Sequence, residues 1–135
     1  MWADYNTLSF PIVEVKLRGN IQNDEDFKKF LEDWLKIYEK KKDFVFLFDT
    51  TDVGFVNIKY AFKMASFVKE LKKRDIQYLK HSIIITNSWW VKFLLKIIFS
   101  LQSPVCTIEY HSDFNNIDLE NLIVKTREDS TLELQ

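Results

Sequence analysis

Phe44-Val45-Phe46-Leu47-Phe48-Asp49-Thr50-Thr51-Asp52 is the stretch whose reading decides the fold. Successive side chains of a strand point to opposite faces, so a strand wet on one side alternates apolar and polar residues. Phe44 to Phe48 do not alternate, which predicts a central strand covered on both faces. Asp49-Thr50-Thr51-Asp52 reads as the polar loop that ends it. Upstream, residues 11–18 do alternate. Val13, Val15 and Leu17 point one way and Glu14, Lys16 and Arg18 the other, a half-buried strand broken by Gly19-Asn20. Downstream, Ser82-Ile83-Ile84-Ile85-Thr86 predicts another buried strand, and residues 105–110 a fourth, after Pro104.

Helical periodicity fills the intervals. Behind Asn23 or Asp24 as cap, Phe27, Phe30, Leu31, Trp34, Leu35 and Tyr38 recur at i, i+3, i+4, i+7. Asp24, Glu25 and Asp26 stand at the positive end of that helix dipole, and Lys40, Lys41 and Lys42 at its negative end. Asn57 caps a second helix running to about residue 73, with Ala61, Met64, Ala65, Val68 and Leu71 as its core stripe. The lysines beside that stripe, with Arg74, have no interleaved aromatics for base stacking and read as a solvated face. A third helix spans Trp89 to Leu101, and a fourth lies near residues 116–126, with Ile117, Leu119, Leu122 and Ile123 apolar. Strands alternating with helices predict the α/β class: a largely parallel sheet of four to five strands with about four helices. Residues 1–126 form one domain, and residues 127–135, which lack a core pattern, a mobile tail.

Composition narrows the function classes. Apolar residues make up 47% of the 135 and charged residues 29%, the balance of a folded soluble protein. A net charge of −1 gives no field to draw the chain onto nucleic acid. Two glycines cannot build a glycine-rich phosphate loop. The single cysteine, Cys106, excludes an internal disulfide and fits a reducing compartment. The first ten residues lack the basic start and apolar run of a signal peptide. The Trp89 helix measures about 20 Å against about 30 Å of hydrocarbon, so it does not span a bilayer. A cytoplasmic protein is the expectation.

The Trp89 helix carries more apolar surface than one sheet face needs. Its only polar members, Lys92, Lys96 and Ser100, recur every four residues and leave a wet stripe of roughly 80°. Trp90, Leu94, Ile98 and Leu101 face away from the stripe and can be buried. Trp89 falls inside it, and Phe93 and Phe99 lie on its margins. Four coverings are open: Trp2 and Tyr5 folding over from the N-terminus, a second copy or another protein, a membrane surface, or an apolar ligand held beneath the helix.

Leu17-Arg18-Gly19-Asn20 resembles the L-x-G-x turn that precedes the first helix of STAS domains of the anti-sigma-factor antagonist, or SpoIIAA-like, type. Phe46-Leu47-Phe48-Asp49 running into Thr51-Asp52-Val53-Gly54-Phe55-Val56-Asn57 resembles that family's hydrophobic-D-x-x-x-V-x-F-x-D loop. The element order matches over roughly residues 11–125. The resemblance implies a STAS-like fold and a tendency to bind partners. In regulatory members a serine or threonine after the loop aspartate accepts phosphate. Here Asn57 replaces the aspartate and Ile58 the hydroxyl residue, so the phosphoswitch is expected to be absent at the position marked by Asp52, Asn57 and Ile58; Thr50 and Thr51 lie upstream of it.

No constellation declares a reaction. His81 and His111 flank strands at what should be opposite ends and read as surface histidines, with Asp113 nearby in sequence. Asp49 and Asp52 sit where α/β proteins hold ligands, yet turn formation explains them equally. Cys106 reads as a core thiol. The expectation is therefore a non-catalytic STAS-like interaction module without metal or cofactor. It would bind a protein partner or itself through Trp89, Lys92, Phe93, Lys96 and Phe99. The competing expectation is a lipid or hydrophobic-ligand module at a membrane surface, since SpoIIAA-like domains resemble CRAL-TRIO domains.

Overall fold

The computed structural model describes residues 2–115 and 117. Eight elements follow one another: β1 (Ala3–Asn6), β2 (Ile12–Gly19), α1 (Asp24–Tyr38), β3 (Phe44–Val53), α2 (Lys59–Leu71), β4 (Leu79–Ile85), α3 (Trp89–Leu101) and β5 (Thr107–His111). The five strands form one sheet in the order β1-β2-β3-β4-β5. Strands β2 to β5 are parallel, and β1 is antiparallel to β2. Each parallel step moves to the next neighbour in the same direction. Right-handed crossovers then place every connecting helix on the same side. The buried faces of α1, α2 and α3 accordingly share one core with Val13, Val15, Phe44, Phe46 and Phe48.

That core is ring-rich. Trp34 of α1 meets Phe46 edge-on with ring centroids 4.7 Å apart, and it also touches Phe30, Phe48 and Phe67. Such pairs contribute about 0.5–1.5 kcal/mol each beyond the area they bury. Side chains of the same strands that point the other way (Ile12, Val45, Leu47, Ile83 and Ile85) make a second buried cluster, against which Ile117 packs. Both faces of Phe44–Phe48 are therefore covered, as the unbroken apolar run requires. Packing is not complete between the sheet and the three helices, where a cavity of about 160 Å³ remains.

Several expectations change. The polar stretch after Phe48 is strand, not loop: β3 continues to Val53. Lys16, directly opposite Asp49 on β2, reaches Asp49 at 2.7 Å and Asp52 at 3.0 Å. Thr50 points into the core, where its hydroxyl donates to the Ile85 carbonyl at 2.7 Å. Those partners come from distant parts of the chain, which is why a local reading sees only a polar turn. Asn23 caps α1 by accepting from Asp26 N–H at 2.9 Å, but the helix ends before Lys40. Helix α2 starts one residue later than expected, with Ile58 at its cap; Asn57 still accepts from Lys59 N–H at 2.9 Å. Strand β5 begins at Thr107, leaving Val105 and Cys106 in the preceding bend. The expected fourth helix and tail fall, Ile117 apart, outside the described residues.

The N-terminal strand β1 was not foreseen, and it settles where Trp2 and Tyr5 go. Trp2 packs edge-on to Phe30 at 5.3 Å and donates its indole N–H to the Gly19 carbonyl at 3.2 Å. Tyr5 donates to the Phe30 carbonyl at 2.8 Å, and burial pushes its hydroxyl well above the usual phenol range, with Asp33 adding to the shift. Both residues cover α1 and so do not fold over Trp89, which stays exposed.

The Lys16–Asp49 pair sets a pH test. Burial alone would raise the Asp49 carboxyl, yet the Lys16 ammonium and the Thr51 hydroxyl and amide hold it below the usual carboxylate range. A depressed folded-state value means stability that is complete above the unfolded value of about 4 and lost as pH falls through the folded value. Asp49→Asn is expected to be less stable than wild type by about 1 kcal/mol at pH 7. Urea midpoints should converge as the pH drops below about 4; a gap unchanged from pH 7 to pH 3 would contradict a role for the charge.

Candidate functional site

The two glycines of the chain meet at one point. Gly19 ends β2 with φ +67°, a conformation that costs little only without a Cβ, and its carbonyl accepts from Gly54 N–H at 2.9 Å. A Cβ on Gly54 would collide with Oδ1 of Asn20. That oxygen is engaged: it accepts from Phe55 N–H at 2.6 Å. The loop between β3 and α2 is thus tied to the turn after β2, and Phe55 is aimed outward.

Phe55 stacks on Trp90 of α3 with centroids 5.7 Å apart and planes 17° from parallel. Trp90 is fixed from its other end, donating its indole N–H to the Val56 carbonyl at 3.0 Å. Trp89 packs edge-on against Trp90, and Phe93 lies 5.5 Å from it on the next turn. Four rings from two segments therefore form one surface. Three stay open to solvent: Trp89 is 76% exposed, Phe55 61% and Phe93 43%. Ile58 and Phe62 are exposed next to each other on α2, four residues apart. Lys92 and Lys96 stand beside Trp89 and Phe93 on α3, exposed and without an ion pair among the described residues.

The inner side of α3 is Val91, Leu94 and Ile98, all buried. This arc lies closer to Val91 than the polar stripe indicated. Trp90 consequently occupies the flank, half-buried, and Leu101, at the last helical residue, is half exposed where burial was expected. Phe99 turns toward the core rather than joining the outer rings. Ser88 caps the helix by accepting from Val91 N–H at 3.3 Å.

The structure places the three loop residues singled out by the family resemblance close in sequence to this surface but in structural roles. Asp52 pairs with Lys16, Asn57 accepts from Lys59 N–H just before α2, and Ile58 is exposed at the cap of that helix. Lys59 and Lys63 are drawn to Asp24 on α1, at 3.3 and 3.4 Å, and Tyr60 donates to the same carboxylate at 2.8 Å. The Tyr60 hydroxyl, then Lys59 and Lys63, hold the Asp24 carboxyl below its ordinary value. Phe55 was not among the residues picked from sequence. Its signal was there: it is the phenylalanine of the loop motif that carries the family resemblance, and it lies outside every amphipathic stripe.

Other chemistry-bearing groups gather less. Glu109 lies between the two histidines, 3.4 Å from His81 and 3.6 Å from His111, so they are not simply separate surface residues at opposite strand ends. Burial would raise the Glu109 carboxyl, but the histidines hold it low. Among the described residues no three His, Cys, Asp or Glu side chains are arranged to ligate one metal ion. Burial pushes the Cys106 thiol up, against a contact with Ser82 Oγ at 3.5 Å, which is unfavourable for a nucleophile.

Two paired substitutions test this division of α3. Leu94→Ala should cost about 2–5 kcal/mol in urea unfolding, as for a buried leucine. Trp89→Ala should stay within about 0.5 kcal/mol of wild type. Equal losses at both positions would place Trp89 in the core. Gly54→Ala should break the Asn20–Phe55 hydrogen bond, cost about 1–2 kcal/mol and change the near-ultraviolet circular dichroism of the stacked rings.

No protein-family model matches the sequence, and no curated protein matches it. The structure is similar to the crystal structure of an uncharacterized protein from the DUF3478 family with a SpoIIAA-like fold, from Shewanella loihica PV-4. Sequence identity is 13%, the match covers 92% of this chain and 91% of that one, and the TM-score is 0.51. Among the described residues no helix is long and apolar enough to cross a membrane. Sheet order, helix placement and this likeness agree: the chain has the SpoIIAA-like α/β fold.

Proposed function

We propose that this chain is a non-catalytic cytoplasmic interaction module that binds a protein partner through Phe55, Trp89 and Phe93, with Lys92 and Lys96 at the rim. One observation carries the reading: the Phe55–Trp90 stack joins two segments and holds Trp89 in the open. Rings fixed in this way bring large contact area at little further entropy cost, and aromatic side chains are favoured anchors of protein interfaces. The two lysines, without ion pairs among the described residues, call for carboxylates opposite them. The partner is therefore a surface with an apolar centre and acidic flanks.

A second copy of this chain is a poorer occupant. Pairing α3 with α3 about a two-fold axis sets the Lys92–Lys96 stripe of one copy near that of the other, and like charges oppose it. An anionic membrane is poorer too. Asp24 offsets one of the two charges of Lys59 and Lys63, which with Lys92 and Lys96 leaves about three, at about 1 kcal/mol each. With Ile58 in place of a hydroxyl residue, phosphate transfer to that position is not the switch that controls binding.

The test uses the full chain as bait, followed by calorimetric titration of the purified partner. Trp89→Glu and Phe93→Glu should remain folded by circular dichroism and weaken binding at least about 30-fold, an anchor loss of about 2 kcal/mol. Lys92→Glu with Lys96→Glu should weaken it and flatten its salt dependence. Light scattering and co-sedimentation with phosphatidylserine vesicles run alongside. A concentration-dependent dimer, or vesicle binding, that is lost in Trp89→Glu would overturn the heteromeric reading. So would a partner indifferent to all four substitutions.

A further inference from the structure

The cavity between the sheet and the helices is independent of the ring surface, and its size and lining define what can enter it. Its volume is about 160 Å³. Dry apolar cavities of roughly 150 Å³ accept benzene-sized molecules. A lipid acyl chain is several times larger than benzene and does not fit without displacing the core.

The lining decides the chemistry. No charged side chain reaches the wall. Thr50 spends its hydroxyl proton on the Ile85 carbonyl, Tyr60 donates to Asp24, and Ser82 and Cys106 lie against each other. A ligand rich in polar groups would lose its hydrogen bonds to water and gain none in return. Half-buried lining residues lie in two places: Leu95, Phe99, Pro104, Val105, Cys106 and Ile108 around the seam between α3 and the edge strand β5, and Ile21, Val53 and Met64 after β2, at the end of β3 and on α2. The rest of the sheet-facing core is closed, with Val13, Val15, Phe44 and Phe46 fully buried.

We propose that this cavity is a binding site for a small apolar molecule, of the size and character of benzene. It narrows the hydrophobic-ligand expectation from lipids to single-ring hydrocarbons and their close relatives. The cavity stands whether or not a protein docks on Trp89.

Methyl-detected NMR of the full chain titrated with benzene tests the proposal. Shifts are expected at Val68, Leu94 and Ile98, which line the cavity, and not at Ile12, Val45 and Ile85 on the opposite face of the sheet. Thermal unfolding should move upward with benzene concentration. Ala61→Leu, which adds bulk to the wall, should weaken benzene binding at least about tenfold; should that variant not fold, the wild-type methyl map decides. Trp89→Glu should bind benzene as wild type does, which separates this site from the partner surface. Palmitate should leave the same methyls unmoved. Absence of methyl shifts at Val68, Leu94 and Ile98 at saturating benzene, or occupation of the cavity by palmitate, would each overturn the proposal.

Discussion

Each connection from β2 to β5 steps to the next strand in the same direction, and a right-handed crossover then has one place to put its helix. Three helices share one face of the sheet as a result, and much else follows from that crowding. The shared face needs bulky side chains, which Phe44, Phe46, Phe48 and Trp34 supply. Three helices on a twisted sheet do not meet without gaps, and the cavity lies among them. The other face must find cover from outside the crossovers, and Ile117 provides part of it.

The polar end of β3 links this frame to the surface. Lys16 with Asp49 and Asp52 ties β2 to β3 where the register shifts between Lys16 and Arg18, beyond the point where apolar side chains run out. The strands end together at Gly19 and Gly54, joined by one backbone hydrogen bond. Asn20 holds Phe55 from there, and Phe55 meets Trp90. An ordered outer surface thus rests on a chain of contacts that begins with an ion pair on the far face of the sheet. The surplus of apolar residues on α3 is divided by that arrangement: Val91, Leu94 and Ile98 go to the core, Phe99 to the cavity wall, and Trp89 and Phe93 to solvent.

Local pattern reached far in this sequence. The alternation of Val13, Val15 and Leu17, the unbroken Phe44–Phe48 run and the i, i+3, i+4 stripes are properties of a few consecutive residues, and they set element type and order without knowledge of neighbours. They were sufficient for the α/β class; the SpoIIAA-like fold that the solved structure shares was expected from the resemblance of residues 17–20 and 46–57 and of the element order to that family. The apolar excess of the Trp89 helix was legible for the same reason. Strand β1 was not, because four residues paired with a strand across a turn leave too short a pattern.

Tertiary structure decided matters that depend on who stands opposite. Asp49 to Asp52 are strand because Lys16 and Ile85 supply their partners from other strands, and a polar run carries no mark of such partners. Trp2 and Tyr5 went to α1 instead of Trp89 because β1 pairs antiparallel with β2 at the edge of the sheet. Phe55 became part of the ring surface through an asparagine 35 residues earlier. Periodicity tells which face of an element is apolar, since side-chain direction repeats along a helix or strand. It does not tell what that face meets; that is fixed only when the chain closes on itself and distant groups compete for the same space.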